Sequence, residues 1–351
     1  MRISCDSEEI LMSGNLPQLL SRLLRREDLN RDEAAELLHG LLDPEATDAQ
    51  IAATLVALAA KGETVEELAG MASVMRSLAV RLSTNHQTFI DTAGTGSSRA
   101  KTFNVSTAAA FVIAGAGLPV AKHGNRAASS KSGSADVLIA LGVNIQALPE
   151  VSGQCLEKLG MCFMFAPLYH SATARVANIR RQLGVHTVFN LLGPLSNPAG
   201  APRQVVGTWR LDLVEKLAQA LSALGTQRAW VVHGEDGLDE ITIAGKTSVA
   251  EAQNGDVKTF MVSPADFGLQ AGSLESLRGG DAAANASIVR EVLAGRRRDE
   301  ARALVVVNSA AALFVGGRAP DLRTASQLAQ KSIDEGAAQS KLDQLIDLTN
   351  R

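Results

Sequence analysis

The sequence predicts a two-part α/β protein: a small helical domain and a larger α/β domain with a mainly parallel central sheet. Three observations carry this. Residues 16–82 show only helical periodicity, strands and helices alternate from Thr88 onward, and a stretch from Leu168 to Asn197 breaks the alternation without supplying a strand. Strand–helix alternation implies crossover connections and therefore parallel strands. The break predicts a chain that returns to the helical part. The domains expected are thus 15–85 joined by 168–197, and 86–167 with 198–349.

Composition agrees with a large folded chain. There are 351 residues, 46% of them hydrophobic and only 3% aromatic, so the core must be aliphatic and alanine-rich. A net charge of −3 argues against a broad nucleic-acid surface. No apolar run reaches membrane-spanning length without a charge or a glycine. Residues 1–14 read as a loose leader, with acidic side chains where a secretory signal is basic and apolar. Cys5, Cys155 and Cys162 have neither metal-site spacing nor an even count. A reduced, cytoplasmic protein is expected.

Each element has its own signal. Capping boxes open three of four expected N-terminal helices: Asn30 with Glu33, Thr47 with Gln50, and Thr64 with Glu67. Ile51, Leu55 and Leu58 share one helical face, as do Leu68, Met71 and Met75. Phe89-Ile90 leads into Gly94-Thr95-Gly96, Thr102 to Thr107 opens an alanine-rich helix, and Leu118 to Ala121 reads as the next strand. Helices are expected near 134–141 and 150–160, then a strand at Met161–Phe165, and two helical segments at 171–182 and 186–192. A strand at Gln204–Thr208, a helix at Leu211–Leu224 and a strand at Arg228–His233 follow. Asn254-Gly255 marks a hairpin, and the chain from Leu277 on is mainly helical.

Two polar loops, one helix apart, stand out. The first runs from Gly94 to Thr107 and the second from Lys122 to Ser134. A helix N-terminus offers free N–H groups and partial positive charge, which suits phosphate. Asn104, Ser106 and Thr107 add donors to the first loop; Lys122, His123, Asn125, Arg126 and Lys131 add cationic and polar groups to the second. Turns with ordinary N-caps explain either loop alone, whereas the pair favours an anion site. Ala100-Lys101-Thr102 is not a P-loop ending, because Thr95 and Ala100 stand where that motif needs glycine.

Gly234-Glu235-Asp236-Gly237-Leu238-Asp239-Glu240 follows a strand end, where open parallel sheets bind ligands. Adjacent carboxylates suit Mg²⁺. Arg180 and Arg181 lie on a helix, either on a solvated face or as fork donors for a carboxylate. His123 and His170 are either acid/base groups or ordinary histidines.

Four motifs then resemble the anthranilate phosphoribosyltransferase family. They are Lys122-His123-Gly124-Asn125-Arg126 with Ser129 to Ser134; Thr102 to Thr107; Phe189 to Leu195 with Asn197-Pro198; and Gly237-Leu238-Asp239-Glu240. The likeness covers nearly everything from Leu16 to Thr349. It implies a nucleoside phosphorylase/phosphoribosyltransferase-like fold and a homodimer formed through the helical domain. It also implies transfer of phosphoribosyl from phosphoribosyl diphosphate to the amine of anthranilate, with Mg²⁺. By this resemblance Gly94, Ser97, Ser98, Thr102, Asn104, Val105, Ser106, Thr107, Lys122, Asn125, Arg126, Ser129, Ser130 and Ser134 hold phosphoribosyl diphosphate. Gly94, Asn125 and Arg180 face anthranilate, His123 and Arg180 are the catalytic candidates, and Ser106, Asp239 and Glu240 serve the metal. Two rival readings remain: a pyrimidine-nucleoside phosphorylase, which shares the fold, and a catalytically silent relative that binds nucleic acid, against which the negative net charge and the intact Asp239-Glu240 pair speak. One departure is visible: Ser97-Ser98-Arg99-Ala100 replaces a glycine-rich, acidic run of the family, exchanging an acid for a cation.

Overall fold

The computed structural model describes residues 15–96, 102–127 and 132–351. Residues 1–14, expected to be a leader, and Ser97, Ser98, Arg99, Ser129, Ser130 and Lys131 lie outside the described residues. Four helices come first: α1 (Leu16–Leu24), α2 (Arg31–Leu42), α3 (Asp48–Lys61) and α4 (Val65–Leu78). All three expected capping boxes form, with Glu33 N on Asn30 Oδ1 at 3.0 Å and Asn30 N on Glu33 Oε2 at 2.9 Å in the first. Each such cap contributes about 1 kcal/mol.

The α/β part follows as β1 (Ile90–Gly94), α5 (Val105–Gly115), β2 (Val120–Gly124), α6 (Ser134–Leu141), α7 (Pro149–Leu159) and β3 (Met161–Phe165). Next come α8 (Ala166–Tyr169), α9 (Ala174–Leu183) and α10 (Phe189–Leu195). Then β4 (Arg203–Gly207), α11 (Leu213–Ala223), β5 (Arg228–Gly234), β6 (Thr247–Gln253) and β7 (Asp256–Val262) complete the sheet. The chain ends in α12 (Ala282–Leu293), α13 (Glu300–Val315), α14 (Leu322–Asp334) and α15 (Ala337–Thr349).

The seven strands lie in the order β3-β2-β1-β4-β5-β6-β7. The first five are parallel; β6 and β7 run antiparallel through the hairpin turn at Asn254-Gly255. Strand alternation divides the core. Trp230 and Val232 of β5 join the apolar cluster of α5, α6 and α12–α15. Ala229 and Val231 of the same strand join a second cluster with α11 and with Leu37, Leu55, Leu58 and Met71 of the N-terminal helices. Val176 and Ile179 of α9 and Leu191, Leu192 and Leu195 of α10 belong to that second cluster. Helices α9 and α10 of the interrupting segment therefore share a core with the N-terminal helices, whereas Leu168 and Tyr169 at its start pack with β3.

One expectation needs correction. Lys122 and His123 are not loop residues but the third and fourth residues of β2, paired with Phe163 and Met164 of β3. Their polarity suggested a loop. Both are buried all the same, because the interior supplies partners for them.

Candidate active site

The strand order reverses direction at β1, with β2 on one side and β4 on the other. That switch point is where open α/β sheets leave a crevice beyond the strand ends. Here β1 and β4 end on paired glycines, Gly94 and Gly207. The crevice opens into a cleft of roughly 1200 Å³, lined from β1, α5, β2, α9, α10 and the loop after β5. The segment Leu274–Gly280 and Asn285 wall its other side.

Gly207 is required by close approach. A Cβ there would stand 1.6 Å from the Asp239 carbonyl oxygen and 2.6 Å from its carbon. Backbone cannot yield as a side-chain tip does, so Gly207→Ala must displace the acidic loop. We expect this substitution to abolish most activity and to raise the Mg²⁺ concentration needed for what remains. Activity titrated against Mg²⁺ checks it, and a wild-type curve would show that the loop tolerates displacement.

The acidic loop reaches back over the start of α5. Ser106 N donates to Glu240 Oε1 at 3.2 Å, so a helix N–H meets a carboxylate. Asp239 Oδ2 lies above Gly94, 3.6 Å from where a Cβ would be. Burial, with Asp239 beside it, pushes the Glu240 carboxyl up to about 8. Such a pair of hard oxygen donors, adjacent in the chain and one of them strongly desolvated, fits a divalent cation. Among the described residues no group of three His, Cys, Asp or Glu side chains gathers to form a closed cage. Mg²⁺ is suited to just this: few protein ligands, with waters and phosphate oxygens completing the shell.

Lys122 enters the same cluster from β2. Its Nζ donates to Thr92 O and lies 3.4 Å from Thr92 Oγ1 and 3.5 Å from Ser106 Oγ. The residue is only 2% exposed. Burial lowers its affinity for a proton, and the charges of Asp91 and Glu240 oppose that. Asp91, fully buried, accepts from His123 N at 3.2 Å and from Asn197 Nδ2 at 2.7 Å. It fixes the end of β2 against the Asn197-Pro198 turn.

His123 is neutral. Burial, together with the neighbouring His170 ring at 5.1 Å, pushes it down to about 3. Nδ1 lies 3.3 Å from Gly193 O and so carries the proton. Among the described residues the buried Nε2 has no partner, and it has a lone pair to offer.

Arg180, half-buried on α9, completes the far wall. It donates from Nη2 to Asn190 Oδ1 at 3.2 Å and sits over the Phe189 ring, 5.4 Å from its centre. Among the described residues its buried Nε has no partner and its guanidinium forms no ion pair. Arg181 next to it is exposed.

The cleft thus brings together Gly94, Thr102, Asn104, Val105, Ser106, Lys122, His123, Asn125, Arg126, Ser134, Arg180, Asp239 and Glu240. Thr107 is absent from its lining. One residue beyond Ser106 on α5, it is turned about 100° further round the helix and is fully buried. Asn104 precedes the helix but does not cap it with its side chain. Residues that sequence reasoning missed are Asn190, which holds Arg180, and the Arg278-Gly279-Gly280 and Asn285 wall.

With this geometry the chain matches two profiles: "Glycosyl transferase family, a/b domain" over residues 86–339, and "Glycosyl transferase family, helical bundle domain" over 17–79. The anthranilate phosphoribosyltransferase of Anaeromyxobacter dehalogenans is 52% identical over 330 residues, covering 94% of this chain and 97% of the relative. That of Moorella thermoacetica is 49% identical over 327 residues, covering 93% and 96%. The chain belongs to the anthranilate phosphoribosyltransferase family.

Solved members of the family share the fold. The Thermus thermophilus anthranilate phosphoribosyltransferase superposes with a TM-score of 0.89 at 38% identity, over 95% of this chain and 99% of that one. The Saccharomyces cerevisiae enzyme, solved in complex with PRPP and Mg, gives 0.87 at 26% identity over 96% and 98%. This anthranilate phosphoribosyltransferase family member is accordingly a glycosyltransferase, with a helical bundle and a mostly parallel sheet. Among its described residues no helix is long and apolar enough to cross a membrane.

Proposed function

We propose that the cleft transfers phosphoribosyl from phosphoribosyl diphosphate to the amine of anthranilate and releases diphosphate. The observation that carries this reading is the meeting of two unlike walls in one cleft. Arg180 presents a partly desolvated guanidinium that forms no ion pair among the described residues, and Asp239 and Glu240 bring adjacent carboxylates to the start of α5. An aromatic carboxylate answers the first, and a magnesium-bound diphosphate answers the second.

In this reading Gly94, Thr102, Asn104, Val105, Ser106, Lys122, Asn125, Arg126 and Ser134 surround phosphoribosyl diphosphate. Thr107 acts only through the backbone of α5. Asn125, Gly94 and Arg180 hold anthranilate. Asp239, Glu240 and Ser106 would hold Mg²⁺, which when bound would neutralise diphosphate charge. The ribose C1–oxygen bond breaks with its electron pair leaving on diphosphate, and the amine nitrogen forms the C1–nitrogen bond. Lys122 stabilises the departing charge, an electrostatic effect strengthened by burial. The neutral Nε2 of His123 accepts an amine N–H and orients the nitrogen; the proton itself passes to water or diphosphate. Protonation of His123 sets in only as pH falls toward about 3. We therefore expect His123→Ala to lower kcat while leaving the shape of the pH–rate profile between pH 6 and 9 unchanged. A profile that loses a limb in the variant would make His123 the titrating base.

Leu24, 68% exposed on α1, and Val56 on α3 lie on the N-terminal helices. They support a homodimer formed there, which light scattering would register. The shared packing of α9 and α10 with α1–α4 supports a helical unit of 15–85 with 168–197. A polyanionic sugar diphosphate does not cross a membrane unaided, so the reading places the reaction in the cytoplasm. The direct test is loss of anthranilate fluorescence with phosphoribosyl diphosphate and Mg²⁺. No loss, with phosphorolysis of a pyrimidine nucleoside instead, would make the chain a nucleoside phosphorylase.

A further inference from the structure

Asn285 is 3% exposed, on the first turn of α12, and belongs to none of the motifs that mark the cleft. Its Oδ1 accepts from Gly280 N at 2.8 Å, and its Nδ2 donates to Asn104 Oδ1 at 3.0 Å. Asn104 Nδ2 in turn faces Ser132 O at 3.4 Å. The direction of this relay is fixed at one end. A backbone N–H can only donate, so Gly280 requires the oxygen of Asn285. The nitrogen of Asn285 is then left for Asn104, which must answer with oxygen. The Asn104 nitrogen therefore points toward the second polar loop and the cleft.

The wall carrying Asn285 is held in place independently. A Cβ on Gly279 would stand 2.4 Å from Thr102 O, and Thr102 bridges Arg278 as an antiparallel pair. Asp281 caps α12 through Ala284 N at 2.8 Å. Asn285 thus sits on a braced element that touches the first loop by backbone as well as by side chain.

For an anion the direction matters. An amide that presents N–H groups attracts phosphate oxygen; the same amide turned over presents a lone pair and repels it. We propose that Asn285 is a positioning residue for phosphoribosyl diphosphate: by setting the Asn104 amide it makes that side chain a donor to the ligand. This rests on the proposed function, in which Asn104 faces phosphoribosyl diphosphate.

The test is a double-mutant cycle on Asn285→Ala and Asn104→Ala, read by calorimetric binding of phosphoribosyl diphosphate with Mg²⁺ and by anthranilate KM. Loss of one oriented hydrogen bond predicts about 5- to 15-fold weaker binding for Asn285→Ala. In the Asn104→Ala background the same change should add less than about 2-fold, since the two side chains act as one unit. Anthranilate KM should stay within about 2-fold in both. Asn285→Asp keeps the acceptor for Gly280 and the side-chain shape, and serves if the alanine variant does not fold. It should weaken binding more in the Asn104 protein than in the Asn104→Ala protein. Independent, multiplying losses overturn the relay, as does an unchanged affinity in Asn285→Ala. Failure of the wild-type protein to bind phosphoribosyl diphosphate overturns the site reading and the relay together, whereas wild-type binding with multiplying losses overturns the relay alone.

Discussion

Replacing Asp239 and Glu240 together by Asn and Gln will lower activity at millimolar Mg²⁺ by roughly 100- to 1000-fold, the scale of losing preorganised charge at a reacting centre. The shape of both side chains is kept, so the loss reports charge. Part of the activity should return as Mg²⁺ rises, because the phosphates still bind the ion. The metal-free fold should not suffer. Glu240 sits at about 8 there and holds its proton at neutral pH, so glutamine imitates its resting state. The sign follows: the folded protein holds this proton between the ordinary carboxyl range and about 8, where the unfolded chain has released it. Wild-type stability without metal should therefore fall as pH rises through that window, and Glu240→Gln should flatten the slope. Thermal unfolding with and without Mg²⁺ and phosphoribosyl diphosphate separates the two effects, since ligand stabilisation at millimolar Mg²⁺ should shrink in the variant. Full activity with ordinary Mg²⁺ dependence would remove the pair from metal binding.

Much of this site was legible because it is written in local chemistry. Gly237-Leu238-Asp239-Glu240 follows a strand and is acidic, and Thr102 to Thr107 opens a helix with hydroxyls; neither needs a distant partner to be noticed. The capping boxes at Asn30, Thr47 and Thr64 formed for the same reason, each closing within four residues. What stayed hidden depends on partners far along the chain. Lys122 read as a loop cation because the Thr92 carbonyl and the Asp91 charge that let it lie in a buried strand are about thirty residues away. Asn285 carried no signal, since its partner Asn104 is 181 residues distant. Gly207 carried no signal either, since the Asp239 backbone that leaves no room for a Cβ there lies about thirty residues further along the chain. Arg180 was open to two readings on α9; its buried Nε, without a partner among the described residues, and its bond to Asn190 argue against a fully solvated side chain.

That enclosed guanidinium carries the other large prediction. Arg180→Ala should raise KM for anthranilate by about 10- to 150-fold, the range for one charge-assisted hydrogen bond of about 1.5–3 kcal/mol, while the affinity for phosphoribosyl diphosphate barely moves. Burial already makes Arg180 a poorer holder of its proton, and nothing anionic among the described residues offsets that cost. A bound carboxylate does, which is why the effect should exceed that of an exposed ion pair. Arg180→Lys keeps the charge but loses the planar fork, so it should recover only part of the affinity. Asn190→Ala tests the same geometry from behind. Asn190 Oδ1 accepts from Thr187 N at 3.1 Å as well as from Arg180, and so ties the guanidinium to the start of α10. Its removal should raise anthranilate KM by less than Arg180→Ala and add little to it when the two are combined. Steady-state kinetics with each substrate varied in turn decides the matter. A variant that loses kcat with an unchanged anthranilate KM would mean that Arg180 acts on the sugar or the diphosphate rather than on the carboxylate.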